Sequence, residues 1–201
     1  MLPGIFRRLE DTRGLYTQIH IREARTEDAL LTMVRRGEVD LAFVEMPIAA
    51  EECEHITLLA DDYLLVVDPD SAEASGVSLT LEDLAALPLI GFRQGGDACQ
   101  LTDYFRSFHL TPAWQVASDD IETIHAFVTA GFGAALLPRL ATLSLGSDVR
   151  VLELDCGLPP RLLGLAWSAA RGRTGAADDF VVAALAEAAR YGRAKPRLAY
   201  G

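Results

Sequence analysis

Apolar residues at positions 2, 5, 6 and 9 fall on one face of a helix over residues 2–10, with Pro3 in the first turn, where its missing N–H costs nothing. Residues 18–23, Gln-Ile-His-Ile-Arg-Glu, alternate polar and apolar with period two and predict a strand with one buried face. Thr26 is placed to cap a helix that turns Ala29, Leu30, Met33 and Val34 inward, and Gly37 ends it where positive φ is common. Residues 39–44, Val-Asp-Leu-Ala-Phe-Val, are almost continuously apolar, the pattern of a strand covered on both faces.

The same grammar predicts strands around 63–67, 89–92, 113–117 and 134–137, and helices around 81–87, 97–109 and 119–129. Apolar stretches at 149–154 and 162–167, an Ala-rich helix from about 176 to 191 and a loosely held tail over 191–201 complete the chain. Strands alternating with helices imply an α/β sheet.

Composition narrows the function. Half of the 201 residues are hydrophobic, enough for a substantial core. Eighteen basic residues against 29 acidic ones give a net charge of -11, and such a surface repels phosphate backbones, so nucleic acid has to be gripped elsewhere. From residue 38 to 92 there are thirteen Asp and Glu and no Lys or Arg, which reads as a solvated acidic face; Arg93 ends the run. Three scattered cysteines, Cys53, Cys99 and Cys156, fit a reducing cytoplasm rather than a disulfide framework. The longest apolar stretch stops at Arg139 and no secretion leader opens the chain, so neither membrane nor export is expected.

Catalytic chemistry is hard to find. The four histidines occupy separate elements, with no Gly-x-Ser-x-Gly elbow and no Cys-His pairing. Gly131-Phe132-Gly133 lacks the third glycine of a dinucleotide fingerprint and precedes a strand, so it reads as a tight turn. Cys53-Glu54-His55 is too local to surround a metal, and His125 reads as a satisfied, half-buried histidine. No catalytic residue, metal or cofactor is assigned.

Three segments together resemble the effector-binding domain of LysR-type transcriptional regulators. Leu2-Pro3, the 19–23 strand and Gly37-Glu38-Val39-Asp40-Leu41-Ala42 match that family's opening and its "G-E-L-D-L-A" pattern. Leu84-Ala85-Ala86-Leu87-Pro88-Leu89-Ile90 is similar to "dLa-x-x-P-L-I", and residues 127–138 are similar to "lVaaGlGiallP". The resemblance implies two Rossmann-like α/β subdomains with a ligand cleft between them, like type 2 periplasmic binding proteins. Residues 1–67 plus 167–190 would form one and 68–166 the other. It also implies that the family's winged helix-turn-helix, linker helix and first regulatory strand are missing, so DNA binding would belong to the parent protein.

In open α/β sheets ligands bind beyond the carboxyl ends of strands. The loops there supply the expected effector contacts: Leu2 and Pro3; Val44, Glu45 and Met46; Phe92, Arg93, Gln94 and Gly95; Ser118 and Asp119; with Gly133 supporting from the side. The leading expectation is an allosteric sensor of a small molecule within a homodimer or homotetramer, paired through the 2–10 helix. A transporter's solute-binding protein is the alternative, and an enzyme on the same fold comes third. Arg93 offers a planar fork for a carboxylate, which points to a small organic anion, against the plainer reading that it neutralises an acid such as Glu45. Cys99 lies near a helix N-terminus, where a thiol can become reactive, but Phe108 stands where the family's peroxide sensors have a partner cysteine, which favours a structural thiol.

Overall fold

The computed structural model describes residues 1–13, 19–24, 26–75, 78–92 and 97–191, and it divides into two compact units. Unit 1 is Met1–Asp61 with Leu162–Gly201; unit 2 is Asp62–Arg161. Of the tail expected over 191–201, residues 192–201 lie outside the described residues.

In unit 1, α1 (Leu2–Arg13) packs on α7 (Gly175–Ala188), and the Phe180 ring stands edge-on to both Phe6 of α1 and Phe43 of β1 (Ala42–Met46). Helix α2 (Glu27–Arg36) forms where its caps place it. Thr26 accepts a hydrogen bond from the Ala29 N–H, Glu27 and Asp28 lie in the first turn, and Arg35 and Arg36 lie in the last. Gly37 at φ 68° closes the helix, its N–H and that of Glu38 reaching back to Val34 and Met33 carbonyls. The apolar face of α2, with Leu31 and Val34 buried, packs against Val44, Met46 and Ala166. The sheet beneath has the order β1-β8-β2, with β2 at Cys53–Asp61 and β8 at Arg161–Ser168, and β1 antiparallel to β8 from Ala42↔Ala166 to Met46↔Leu162.

Unit 2 holds five strands in the order β5-β4-β6-β3-β7: β3 (Tyr63–Val67), β4 (Pro88–Phe92), β5 (Ala113–Ser118), β6 (Ala134–Pro138) and β7 (Arg150–Leu152). β4 runs parallel to both β5 and β6, whereas β3 is antiparallel to β6 and β7. Both sheet faces are covered, which is why the strands read as unbroken apolar runs. Leu65, Leu89 and Leu136 point to one side, against Leu84 of α3 (Leu81–Ala86) and Leu101 and Phe105 of α4 (Asp97–Ser107). Val66, Ile90, Ala135 and Leu137 point to the other, against Ile124 and Val128 of α5 (Ile121–Thr129). A short α6 (Arg139–Thr142) follows β6.

Several sequence expectations need correction. The strand over 18–23 is not formed: Gln18 lies outside the described residues, 19–24 carry no strand, and Ile19 and Ile21 are exposed. Alternation specifies a face, but a strand needs a ladder partner, and the described strands β1, β8 and β2 pair only among themselves. The strand expected at 39–44 forms at 42–46, because residues 37–41 are used in leaving the helix. β2 went unforeseen, since Glu54, His55 and Asp61 interrupt its apolar pattern. Helix α5 begins at Ile121 rather than at 119 because Asp120 is its cap.

Candidate functional site

The parallel strands of unit 2 end together. Their register pairs Phe92 at the end of β4 with Ser118 at the end of β5. Each strand is followed within a few residues by a helix, α4 from Asp97 and α5 from Ile121. Such an edge gathers loop backbone and helix N-termini at one place, the geometry that open α/β sheets use for ligands. Phe92, Ser118 and Asp119 are therefore brought to one end of the sheet. Arg93, Gln94 and Gly95 follow Phe92 in sequence and lie outside the described residues.

At the β5 end, hydrogen bonding is already organised. Asp120 caps α5, its carboxylate accepting from the Glu122 and Thr123 N–H groups at 3.3 and 3.1 Å and from the Thr123 hydroxyl at 2.5 Å. The Thr123 hydroxyl first, and its N–H next, hold the Asp120 carboxyl below its ordinary pKa. Ser118 Oγ accepts the Asp120 N–H at 3.1 Å, leaving its own hydroxyl hydrogen available to a ligand. Asp119 is exposed. Two of the first-turn amides here are taken by Asp120, and the capping spacing Asp120-x-x-Thr123 is the sequence signal for it.

Gly133 is not part of this end. It precedes β6, whose Ala134 pairs with Leu89, so it lies beside Pro88 at the amino end of the same strands. Its φ of 153° and the Pro88 carbonyl, which a Cβ there would run into, leave no room for a side chain, so its role is close strand packing.

In unit 1 the remaining expected residues separate into two places. Val44, Glu45 and Met46 are buried on β1 and end at the β8 pair Met46↔Leu162. The Glu45 N–H donates to the Glu27 carboxylate, but burial is the larger influence there and raises the Glu27 pKa. Leu2 is half-buried and Pro3 exposed at the start of α1, which is fastened to α7. His125 lies on α5 with Nε2 2.9 Å from Asp148 Oδ1. Cys53 is buried and Cys156 half-buried, and desolvation raises both thiol pKa values.

A family model described as the LysR substrate binding domain matches residues 3–189. The chain belongs to this family. Relatives of the LysR domain include the HTH-type transcriptional regulator CysB of Haemophilus influenzae, 26% identical over 178 residues, covering 83% of this chain and 52% of the relative. A probable hydrogen peroxide-inducible genes activator of Mycobacterium leprae is 27% identical over 183 residues, covering 87% and 55%. The chain thus spans about half the length of the curated relatives it matches. Among solved structures, the BenM effector binding domain with its effector benzoate superposes with a TM-score of 0.82 at 15% identity, covering 97% of this chain and 89% of that one. The fold is that of LysR effector-binding domains, of the periplasmic-binding-protein type. Among the described residues no helix is long and apolar enough to cross a membrane.

Proposed function

We propose that this LysR domain senses a small organic anion for a longer DNA-binding transcriptional regulator of the cytoplasm. The observation that carries this reading is the pairing of Phe92 with Ser118, which sets two strand ends side by side, each leading into a helix. Arg93, continuing from Phe92, supplies a bidentate fork to a carboxylate, with Gln94 and the Gly95 amide beside it in sequence and the Ser118 hydroxyl from the next strand. Benzoate, the effector in the BenM complex, is itself a carboxylate, which supports the assignment of class. DNA contact is assigned to a segment outside this chain, a reading that its net charge of -11 supports, and α1 to pairing with a second copy.

Thermal-shift and calorimetric titration with small carboxylates, benzoate among them, tests the reading. A ligand at a hundred times its dissociation constant stabilises the fold by about 2.7 kcal/mol. Arg93→Ala should weaken such a ligand by about 1.5–3 kcal/mol, the range for hydrogen bonds to a charged group. A tight neutral ligand, or an anion bound equally well by Arg93→Ala, overturns it. Light scattering showing only a 21.8 kDa species at concentrations of tens of micromolar overturns the pairing.

A further inference from the structure

We propose that Tyr104 is a positioning residue through which α4 holds residues 153–160, the stretch that carries the chain out of unit 2. The Tyr104 hydroxyl donates to the Gly157 carbonyl at 2.6 Å. Gly157 has φ 79°, a conformation that L side chains avoid, and this turns its carbonyl within the segment. Unit 2 ends at Arg161 and unit 1 resumes at Leu162, so the bonded carbonyl sits just ahead of the chain's second passage between units.

The segment follows α4 for a second reason. After β7 ends at Leu152, inward and outward positions continue to alternate without a ladder: residues 153, 155 and 157 are exposed, while Leu154, Cys156 and Leu158 pack on the core that contains Leu101 and Phe105 of α4. Arg139 Nη2 donates to Glu153 Oε2 at 2.6 Å at the head of the segment, but beyond it the apolar contacts are not directional and leave the chain free to slide along the helix. The Tyr104 hydrogen bond is directional and fixes the register. The same helix is tied to β5, where the Trp114 indole N–H donates to Thr102 Oγ1 at 2.9 Å. Helix α4 thus starts at the strand end proposed above to bind ligand, is anchored to β5 in its middle, and grips the outgoing chain two residues later. A ligand that reorients α4 carries the Gly157 carbonyl with it.

This inference rests on the effector reading only for what sets α4 in motion, and the experiment separates the two. Amide hydrogen exchange is compared between the unsubstituted 201-residue chain and Tyr104→Phe, which keeps the ring and removes the hydroxyl. Without ligand, Tyr104→Phe should exchange about five-fold faster in 153–160, as expected for loss of one hydrogen bond, with β3 and β6 unchanged. With benzoate as the probe, the unsubstituted chain should gain protection in both α4 and 153–160, and Tyr104→Phe in α4 alone. Unchanged exchange in 153–160 without ligand overturns the proposal, as does an equal rise throughout unit 2 or equal benzoate protection of 153–160 in both proteins. Failure of benzoate to protect α4 in the unsubstituted chain counts against the effector class, and the ligand-free comparison still decides the role of Tyr104.

Discussion

Arg8 of α1 places its Nε 2.8 Å from Oε2 of Glu187, a carboxylate on α7 that is only 1% exposed. Arg190 adds a second guanidinium at 3.2 Å, and Gly4 lies so close that any side chain there would run into the carboxylate. The two helices therefore meet around one buried, hydrogen-bonded charge. Removing a partner leaves that charge short of donors, which costs more than the pair gains on formation.

Arg8→Ala should accordingly lower stability by about 1.5–3 kcal/mol, toward the lower end because Arg8 is itself partly exposed and Arg190 remains. The Arg8 hydrogen bond is the main reason the Glu187 pKa lies below its ordinary value, so its contribution is complete above the unfolded carboxylate range and is lost as pH falls through the folded value. Urea denaturation at pH 7 and pH 3.5 checks this. The gap between the unsubstituted protein and Arg8→Ala should narrow in acid, and a constant gap contradicts the assignment.

Gly133 and Gly131 are two residues apart and should respond differently to alanine. A Cβ at Gly133 meets the backbone carbonyl of Pro88, which cannot step aside without breaking the β4–β6 pairing. Gly133→Ala should cost about 2–4 kcal/mol from strain and overpacking combined. At Gly131, φ is 76° but nothing lies within 4 Å of a Cβ, so Gly131→Ala should cost only the left-handed penalty of about 1–2 kcal/mol. Denaturant midpoints in the reverse order contradict the packing role.

The contrast shows where the sequence was readable. The Thr26 and Gly37 caps and the apolar runs of β3, β4 and β6 follow from local chemistry, and the structure forms each of them. Which end of a strand a loop occupies is not local: Gly133 and Ser118 both flank parallel strands, but one precedes its strand and the other closes its strand. Asp119 and Asp120 look alike in sequence, and only the hydrogen bonds to Glu122 and Thr123 distinguish the cap from its exposed neighbour. Ile19 and Ile21 carry the right alternation, but among the described residues no strand pairs with them.

Cys53 and Cys156 should be poor nucleophiles. Burial raises both thiol pKa values, so the thiolate that alkylating reagents need is scarce at pH 7.5. In a Cys99→Ser background, the folded protein should react with iodoacetamide at least about ten-fold more slowly than the urea-unfolded protein. Equal rates, measured by mass spectrometry of the labelled chain, contradict the burial argument.

Asp120 offers the sharpest test of ligand charge. Its carboxylate is kept ionised by Thr123 at the N-terminus of α5, beside the strand end proposed to receive an anion. That negative charge satisfies the helix but opposes the ligand, whereas asparagine caps almost as well without charge. Asp120→Asn should therefore leave the fold nearly as stable and tighten a bound carboxylate by about two- to five-fold, the effect of one screened charge near a helix terminus. The gain should shrink as salt is raised, because the repulsion acts through solvent. Calorimetry at low and high salt on Asp120→Asn decides the sign: weaker anion binding, or tightening that ignores salt, removes Asp120 from the neighbourhood of the ligand.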